Sequence, residues 1–166
     1  MNNKQQDYQG PARYLAGKSS KGRMRKLIGM SDYNPPVGFD PDVISWVTRD
    51  VAVTDWEGGI LAMEEGHFVV CVAEELEGLG HVCIPVDPYD GPERTIETLD
   101  RIADLIHWMI SGTDKSVVVH CAMGMERSAL AVAWYLQGYR DMTLDEAYDA
   151  IGRIRPIIAD RKSWIM

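Results

Sequence analysis

The chain has 166 residues, of which 46% are hydrophobic and 25% charged, enough for one domain with a single core. No run of eighteen apolar residues occurs and the N-terminus carries no apolar segment, so we expect neither a membrane helix nor a secretory signal. A net charge of −8 disfavours broad nucleic-acid binding. The three cysteines lack CxxC spacing, which argues against a disulfide framework or a zinc site and favours a reducing, intracellular and cytoplasmic location.

Positive charge is concentrated at the N-terminus. Residues 1–30 hold seven lysines and arginines against one aspartate, Asp7, and the next few residues end in SDYNPP. Gly, Ser, Lys and Asn are frequent here, so we predict a basic arm over residues 1–40 and a folded domain over residues 41–166. Two interpretations of the arm are open. It binds an anionic partner, nucleic acid included, or it folds against its own acidic domain.

The first half of the domain alternates strand and helix patterns. The sequence VISWVTRDVAV (43–53) predicts one or two strands, and the turn TDWEGG then leads into a short helix over residues 60–65. HFVVCVAEE (67–75) and GHVCIPVD (80–87) predict two further strands, the second of which ends in the loop DPYDGPER.

The second half is predicted as helix 95–110, strand 116–121, helix 128–138 and helix 142–156. Thr95 is the expected N-cap of the first of these helices. Gly138 is expected to end the second, and Thr143 with Glu146 forms a capping box for the third. Strands that alternate with helices predict an α/β fold with a central, mostly parallel sheet flanked by helices on both faces.

The sequence HCAMGMERS (120–128) lies between a predicted strand and a predicted helix. The strand places Cys121 at the carboxyl edge of the sheet, where ligands bind in such folds. Gly124 permits unusual backbone angles, so the loop N–H groups and the helix N-terminus can converge into an anion site. The partial positive charge of these N–H groups favours the thiolate of Cys121. Arg127 adds a planar guanidinium whose paired N–H donors suit phosphoryl oxygens. The pattern therefore indicates a nucleophile directed at phosphorus.

HCAMGMERS fits the signature HCxxGxxR[ST] and resembles the cysteine-dependent protein tyrosine phosphatases, especially their compact dual-specificity branch. The stretches IPVD before a long helix, AWYL in the next helix, and MTLDEAYDAIGRIRPII resemble the same branch, so the similarity covers about residues 43–160. The resemblance implies a dual-specificity phosphatase-like fold and a phosphocysteine intermediate. It also implies that neither a metal nor another cofactor is required.

The resemblance also implies a role for each residue of the loop. Cys121 would attack phosphorus, Arg127 would bind the phosphoryl oxygens, and Ser128 would hydrogen-bond Cys121 and ease departure of the thiolate. The remaining residues of the substrate-binding loop would be His120, Ala122, Met123, Gly124, Met125 and Glu126, where the backbone N–H groups bind phosphate and the role of His120 is structural.

A general acid is implied about thirty residues before the nucleophile. Asp90 lies 31 residues before Cys121, and the DGPERTI that it opens matches the expected spacing from loop to helix. Asp87 lies 34 residues before Cys121 but closer to the end of the IPV strand. The spacing favours Asp90 and leaves Asp87 as the alternative, while either residue also suits a solvated turn.

Other chemically capable side chains have simpler interpretations. Cys71 and Cys83 lie within strand patterns and are expected to be buried and inert. Trp108 is expected in or near the core, and Arg153 and Arg155 are expected to form surface ion pairs on the last helix.

The favoured function is a dual-specificity protein phosphatase that acts on phosphotyrosine and on phosphoserine or phosphothreonine in protein or peptide substrates. The alternatives are an RNA 5′-triphosphatase or another non-protein phosphate ester hydrolase with the same loop, and a phosphate-binding module without turnover. The variable loop positions are neutral or acidic, which disfavours highly anionic lipid head groups. The sequence indicates no membrane partner and no particular oligomeric state.

Overall fold

The computed structural model describes residues 38–166, so the predicted basic arm lies almost wholly outside the described part. The strands are β1 (Ser45–Trp46), β2 (Val51–Thr54), β3 (Phe68–Cys71), β4 (Val82–Cys83) and β5 (Val117–His120). The α-helices are α1 (Trp56–Glu64), α2 (Pro92–Gly112), α3 (Arg127–Tyr139) and α4 (Leu144–Ile154), with 3-10 helices at Glu74–Leu76 and Lys162–Ile165. Across residues 38–166, no helix combines the length and apolar character needed to cross a membrane.

The five strands form one sheet in the order β1-β2-β5-β3-β4, in which β1 is antiparallel and the others are parallel. The register places Thr54, His120, Cys71 and Cys83 side by side at the carboxyl ends of the four parallel strands. The predicted α/β class with a mostly parallel sheet is confirmed. The same register brings the carboxyl ends of β2, β3 and β4 to the edge of the sheet where Cys121 follows β5.

The two faces of the sheet are covered by different helices. Ala52, Val69 and Val118 form one buried cluster with Ala62 of α1. Strand side chains alternate between faces, so the intervening valines point to the opposite side, where α3 packs against β2 and β5. Strands β2 and β5 are buried along their whole length, as expected for a parallel sheet with helices on both faces.

Several element boundaries differ from those predicted. Helix α2 begins at Pro92 after Gly91, which has a φ of +89°, so Thr95 is not the N-cap but lies within the first turn. The hydroxyl of Thr95 donates to the carbonyl of Gly91 at 2.8 Å. Gly138 does not end α3, because the helix continues to Tyr139. The capping box of Thr143 and Glu146 at the start of α4 is confirmed.

Trp108 is 72% exposed, so its predicted core position is wrong. The buried positions of α2 are Leu99, Ile102, Ala103 and Ile106, with spacings of three and four residues. Trp108 falls outside this stripe, and an amphipathic helix directs such a position to solvent.

Candidate active site

The loop between β5 and α3 turns its carbonyl groups away from Cys121 and toward donors behind it. Every carbonyl from Ala122 to Glu126 lies within 3.4 Å of a donor nitrogen. These donors are the backbone N–H groups of Trp56, Ala159 and Leu130, and two nitrogens of Arg155. Because a peptide unit directs its N–H opposite to its C=O, this arrangement leaves the loop N–H groups to face the site.

Gly124 is required at the centre of this loop. Its φ of +63° lies in the left-handed region, which side chains rarely adopt. A Cβ atom here would overlap the guanidinium of Arg155 and the carbonyl of Thr54. The expectation that Gly124 supplies an unusual backbone angle is confirmed.

Cys121 is a buried thiol held among hydrogen-bond donors. Its Sγ lies 3.2 Å from Oγ of Ser128, and the backbone N–H groups of Ser128 and Gly124 also donate to it. Burial raises the pKa of the Cys121 thiol, but the charge of Arg127 and these hydrogen bonds outweigh burial, so the pKa lies below that of an ordinary thiol. The site therefore favours the nucleophilic thiolate.

Arg127 is the first residue of α3 and is held by a carboxylate from another loop. Its Nη1 and Nη2 donate to the two oxygens of Glu75 at 2.8 and 2.5 Å. Burial acts against the charge of Arg127, but the bond to Glu75 and the proximity of Cys121 raise its pKa overall. Burial likewise raises the pKa of Glu75, and the guanidinium more than offsets this, so the carboxylate stays ionised. This paired fork fixes the plane of the guanidinium.

His120 lies behind the loop, fully buried. Its Nδ1 is 3.3 Å from the carbonyl oxygen of Cys121, and its Nε2 makes a short hydrogen bond with the carbonyl of Leu79. Burial lowers the pKa of His120, so the neutral ring is favoured. Gly59 of α1 packs against this ring so closely that any side chain there would overlap it. His120 is thus placed to support the loop rather than to touch a ligand.

A cleft of about 600 Å³ opens beside the loop. It is lined by Glu74, Glu75, Pro85, Val86, Asp87, Pro88, Tyr89, Glu126, Arg127, Arg161 and Trp164. Glu126 is paired with Arg161 at 2.6 Å across the cleft wall. Of the two candidate acids, Asp87 lines the cleft, whereas Asp90 is exposed and is not among the lining residues. The structure thus brings Asp87, Arg127 and Glu126 to one cavity.

Two side chains in this region were missed by sequence reasoning. Glu75 ends the stretch HFVVCVAEE, and the sequence gives it no role in the site. Arg155 was expected on the surface, but it is fully buried and donates to Met123 and Gly124 of the loop, so that expectation is wrong. A signal was present only for Arg155, which directly precedes Pro156 at the point where the helix must end.

A comparison with protein-family models shows the family to which the chain belongs. Residues 63–166 match the model described as "Dual specificity phosphatase, catalytic domain". The chain belongs to the dual specificity phosphatase family. The match covers the stretch from the end of α1 to the C-terminus and includes the whole loop from His120 to Ser128.

Individual members of the dual specificity phosphatase family are similar to the chain in sequence or in fold. Human dual specificity protein phosphatase 26 is 37% identical over 89 residues, which are 53% of this chain and 42% of that protein. Human dual specificity protein phosphatase 21 is 37% identical over 83 residues, 49% of this chain and 42% of that protein. The matched region thus spans less than half the length of these curated relatives. The crystal structure of human DUSP28 shares the fold, with a TM-score of 0.63 at 18% identity over 79% of this chain and 91% of that one.

Proposed function

We propose that residues 41–166 form a catalytic domain that hydrolyses phosphate monoesters in phosphorylated proteins, on phosphotyrosine and on phosphoserine or phosphothreonine. The observation that carries this proposal is the placement of Cys121, a buried thiol 3.2 Å from the hydroxyl of Ser128, in a loop whose carbonyls turn away from it and whose Arg127 is held by Glu75. This setting lowers the pKa of the thiol. An ionised thiol inside an anion-binding loop suits nucleophilic attack on a phosphoryl group.

The reaction proceeds in two balanced steps. In the first, the Cys121 thiolate forms an S–P bond, the P–O bond to the leaving oxygen breaks, and an aspartic acid gives its proton to that oxygen. Arg127 and the loop N–H groups bind the three equatorial oxygens, where negative charge is held in the transition state. In the second, water forms a new P–O bond while the S–P bond of the phosphocysteine breaks, the same aspartate takes the proton of the water, and inorganic phosphate and the Cys121 thiolate are released. Ser128 donates to the departing thiolate.

Asp87 is the better supported of the two candidate acids. It lines the same cleft as Arg127, and one of its carboxylate oxygens accepts from the N–H of Tyr89 at 2.8 Å, which orients the group. The spacing argument that favoured Asp90 assumed that the acid lies at a fixed distance before the following helix. The early start of α2 at Pro92 instead leaves Asp90 in the exposed turn before it.

The Asp87→Asn and Asp90→Asn variants separate these assignments. A general acid contributes about 10²–10⁴ in rate, and its loss matters most when the leaving group is a poor one. We expect D87N to lower kcat by about 10²-fold or more with phenyl phosphate but less with p-nitrophenyl phosphate, because p-nitrophenolate leaves without a proton. D90N serves as the matched control and should stay within about threefold of wild type. The reverse ranking would assign the role to Asp90, and near-native rates for both would remove it from both.

The charges around the cleft support a phosphopeptide substrate over a polyanion. Four carboxylates line the cleft, at Glu74, Glu75, Asp87 and Glu126. The two arginines among its lining residues are each paired with one of these carboxylates. A polyphosphate end of RNA or a multiply phosphorylated lipid would meet like charges here. The acidic rim therefore disfavours the RNA 5′-triphosphatase alternative, and a single phosphate on a neutral or basic peptide fits better.

The test of the proposed function is turnover of p-nitrophenyl phosphate by wild type, Cys121→Ser and Arg127→Lys over a range of pH. We expect a vanadate-sensitive activity with a mildly acidic optimum, because the thiolate and a protonated aspartic acid must coexist. Both variants should lose at least about 10³-fold, since one lacks the nucleophile and the other the planar fork. Robust turnover by C121S would overturn the mechanism. Phosphate binding without turnover by wild type would instead identify a non-catalytic binding module.

We also propose an intracellular, reducing location with a phosphorylated protein as partner. Cys71, Cys83 and Cys121 are all free thiols, and a nucleophilic thiolate must remain reduced to act. Fractionation of cells that express the tagged chain checks this location, and a secreted, oxidised product would contradict it.

A further inference from the structure

Arg155 is a fully buried cation whose donors are all directed at fixed acceptors. Its Nε donates to the carbonyl of Gly124 at 2.6 Å, and its Nη2 donates to the carbonyls of Met123 at 3.0 Å and Pro41 at 2.8 Å. Its Nη1 donates to the carbonyl of Val43 at 3.0 Å and to the hydroxyl of Ser45 at 3.2 Å. A guanidinium has five N–H donors on three nitrogens, and each nitrogen of Arg155 makes at least one of these bonds.

Two of these five bonds hold the loop itself. The carbonyls of Met123 and Gly124 are adjacent in the chain, and a planar guanidinium reaches both from behind. Met123 is only 4% exposed, so water has little access to these carbonyls, and a buried carbonyl without a donor is costly. Without Arg155, these two carbonyls could recover hydrogen bonds to water only if their peptide units turned toward the cleft. Their N–H groups would then turn away from Cys121.

The other three bonds anchor the guanidinium to the segment that leads into β1. Pro41 and Val43 precede β1 and Ser45 is its first residue, so Arg155 ties the end of α4 and the loop to a third part of the chain. Burial and the neighbouring Asp42 raise the pKa of Asp55, the N-cap of α1, to about 9, and the charge of Arg155 acts in the opposite direction.

We propose that Arg155 is a positioning residue that holds the loop in its phosphate-binding conformation before any phosphate arrives. It acts through the carbonyls of Met123 and Gly124, and it need not touch the substrate. As a consequence, the N–H of Gly124 stays directed at Cys121, where it adds to the larger effects of Arg127 and Ser128 in favour of the thiolate. This inference rests on the proposed function for its meaning, but its test does not require turnover.

The experiment measures the rate of alkylation of Cys121 by iodoacetamide from pH 4 to pH 9 in the whole chain. The rate reports the fraction of thiolate, and its midpoint gives the pKa directly. We expect Arg155→Lys, which keeps the charge but has one donor nitrogen where arginine has three, to raise this pKa by about one unit and to slow labelling about tenfold below it. Arg155→Met should do the same or more.

Two controls separate positioning from a general loss of stability. Arg153→Met removes an exposed arginine from the same helix and should leave the alkylation midpoint unchanged. Ile151→Ala removes a fully buried side chain from α4 and should lower the midpoint of urea unfolding without moving the alkylation midpoint. Should Arg155→Lys fail to fold, Ser45→Ala removes one acceptor of Arg155 and should give a shift of the same sign and smaller size.

The outcomes distinguish this inference from the proposed function. A folded Arg155→Lys variant with the wild-type midpoint would overturn the positioning role, as would an unchanged midpoint in Ser45→Ala when Arg155→Lys does not fold. An equal shift in Ile151→Ala would reduce the role of Arg155 to structural support. A wild-type midpoint near that of a free thiol, about 8.5, would instead contradict the proposed function, because the loop would then not ionise its nucleophile.

Discussion

Two neighbouring parallel strands each deliver a cysteine to the same edge of the sheet, and the two thiols differ sharply in character. Cys71 ends β3 and Cys121 follows β5, with exposed fractions of 0% and 2%. The pKa of Cys71 is raised by its hydrogen bond with Cys83 and by burial. The pKa of Cys121 is lowered despite burial, by Arg127 and by donors from Ser128 and Gly124. Burial is therefore not the property that separates the two thiols.

The difference lies in the groups around each thiol. For Cys71 the neighbouring thiol of Cys83 and burial raise the pKa, and they outweigh an opposing hydrogen bond from the backbone of Ala73. After β5 the loop carbonyls turn away, and N–H groups with a guanidinium face Cys121. N–H donors and a cation favour the thiolate. The neighbours of each buried thiol, and not burial alone, thus set the direction in which its pKa is shifted.

The largest expected difference between the two thiols is in alkylation rate. At pH 6 we expect iodoacetamide to label Cys121 at least about 10²-fold faster than Cys71, because the rate follows the thiolate fraction and the two pKa values are shifted in opposite directions. Peptide mass spectrometry after timed quenching measures both sites in one sample. Inorganic phosphate should protect Cys121 and leave Cys71 unchanged. Equal rates at the two sites would break the comparison, since both thiols are equally buried.

The sequence was sufficient to predict the surroundings of Cys121 that come from its own loop. Cys121, Gly124 and Arg127 stand within one nine-residue motif, so their joint placement follows from a single strand–loop–helix unit. The capping box at Thr143 depends on four residues and was likewise predictable.

The remaining parts of the site depend on distant contacts. Glu75 lies 52 residues from Arg127, and Arg155 lies 31 residues from Gly124. No local pattern specifies which carboxylate or cation reaches the loop, because tertiary packing decides it. The choice between Asp87 and Asp90 depends on where α2 begins, and element boundaries are the feature that periodicity defines least well.

Glu75 links the two strand ends, because it follows β3 and holds the arginine that follows β5. We expect Glu75→Gln to lower kcat with p-nitrophenyl phosphate about tenfold, since charge-assisted hydrogen bonds are worth about 1.5–3 kcal/mol and glutamine keeps only one acceptor. The KM should change less than kcat, because the orientation of Arg127 matters most for the transition state. Steady-state kinetics at the pH optimum measures both constants.

Glu74→Gln is the matched control for this variant. Glu74 lines the same cleft and carries the same charge, but the carboxylate that holds the fork of Arg127 belongs to Glu75. The control should therefore reproduce the change in electrostatic field without the change in orientation. If both variants lose kcat equally, Glu75 acts through its charge alone, and the positional link between the two strand ends is lost.

The smallest expected effect is on the pH dependence of stability, where the two cysteines should act with opposite sign. Cys121 has a lowered pKa in the folded state, so between that pKa and the unfolded value of about 8.5 the unfolded chain binds the extra proton. Its contribution to stability therefore grows as pH rises and is complete above about 8.5. Cys71 has a raised pKa, so its contribution is present below about 8.5 and is lost at higher pH.

Urea unfolding of wild type, Cys121→Ser and Cys71→Ser at pH 6 and pH 9 measures these signs, because serine does not titrate in this range. We expect the stability advantage of wild type over C121S to increase with pH, by at most about 1.4 kcal/mol per pH unit for one proton. The advantage over C71S should decrease over the same interval. Subtraction of each variant from wild type cancels the groups that titrate independently of the substituted thiol. Cys83 is hydrogen-bonded to Cys71, so the C71S difference reports this pair of thiols together. Differences that change in the same direction would contradict the opposite directions of the Cys71 and Cys121 pKa shifts.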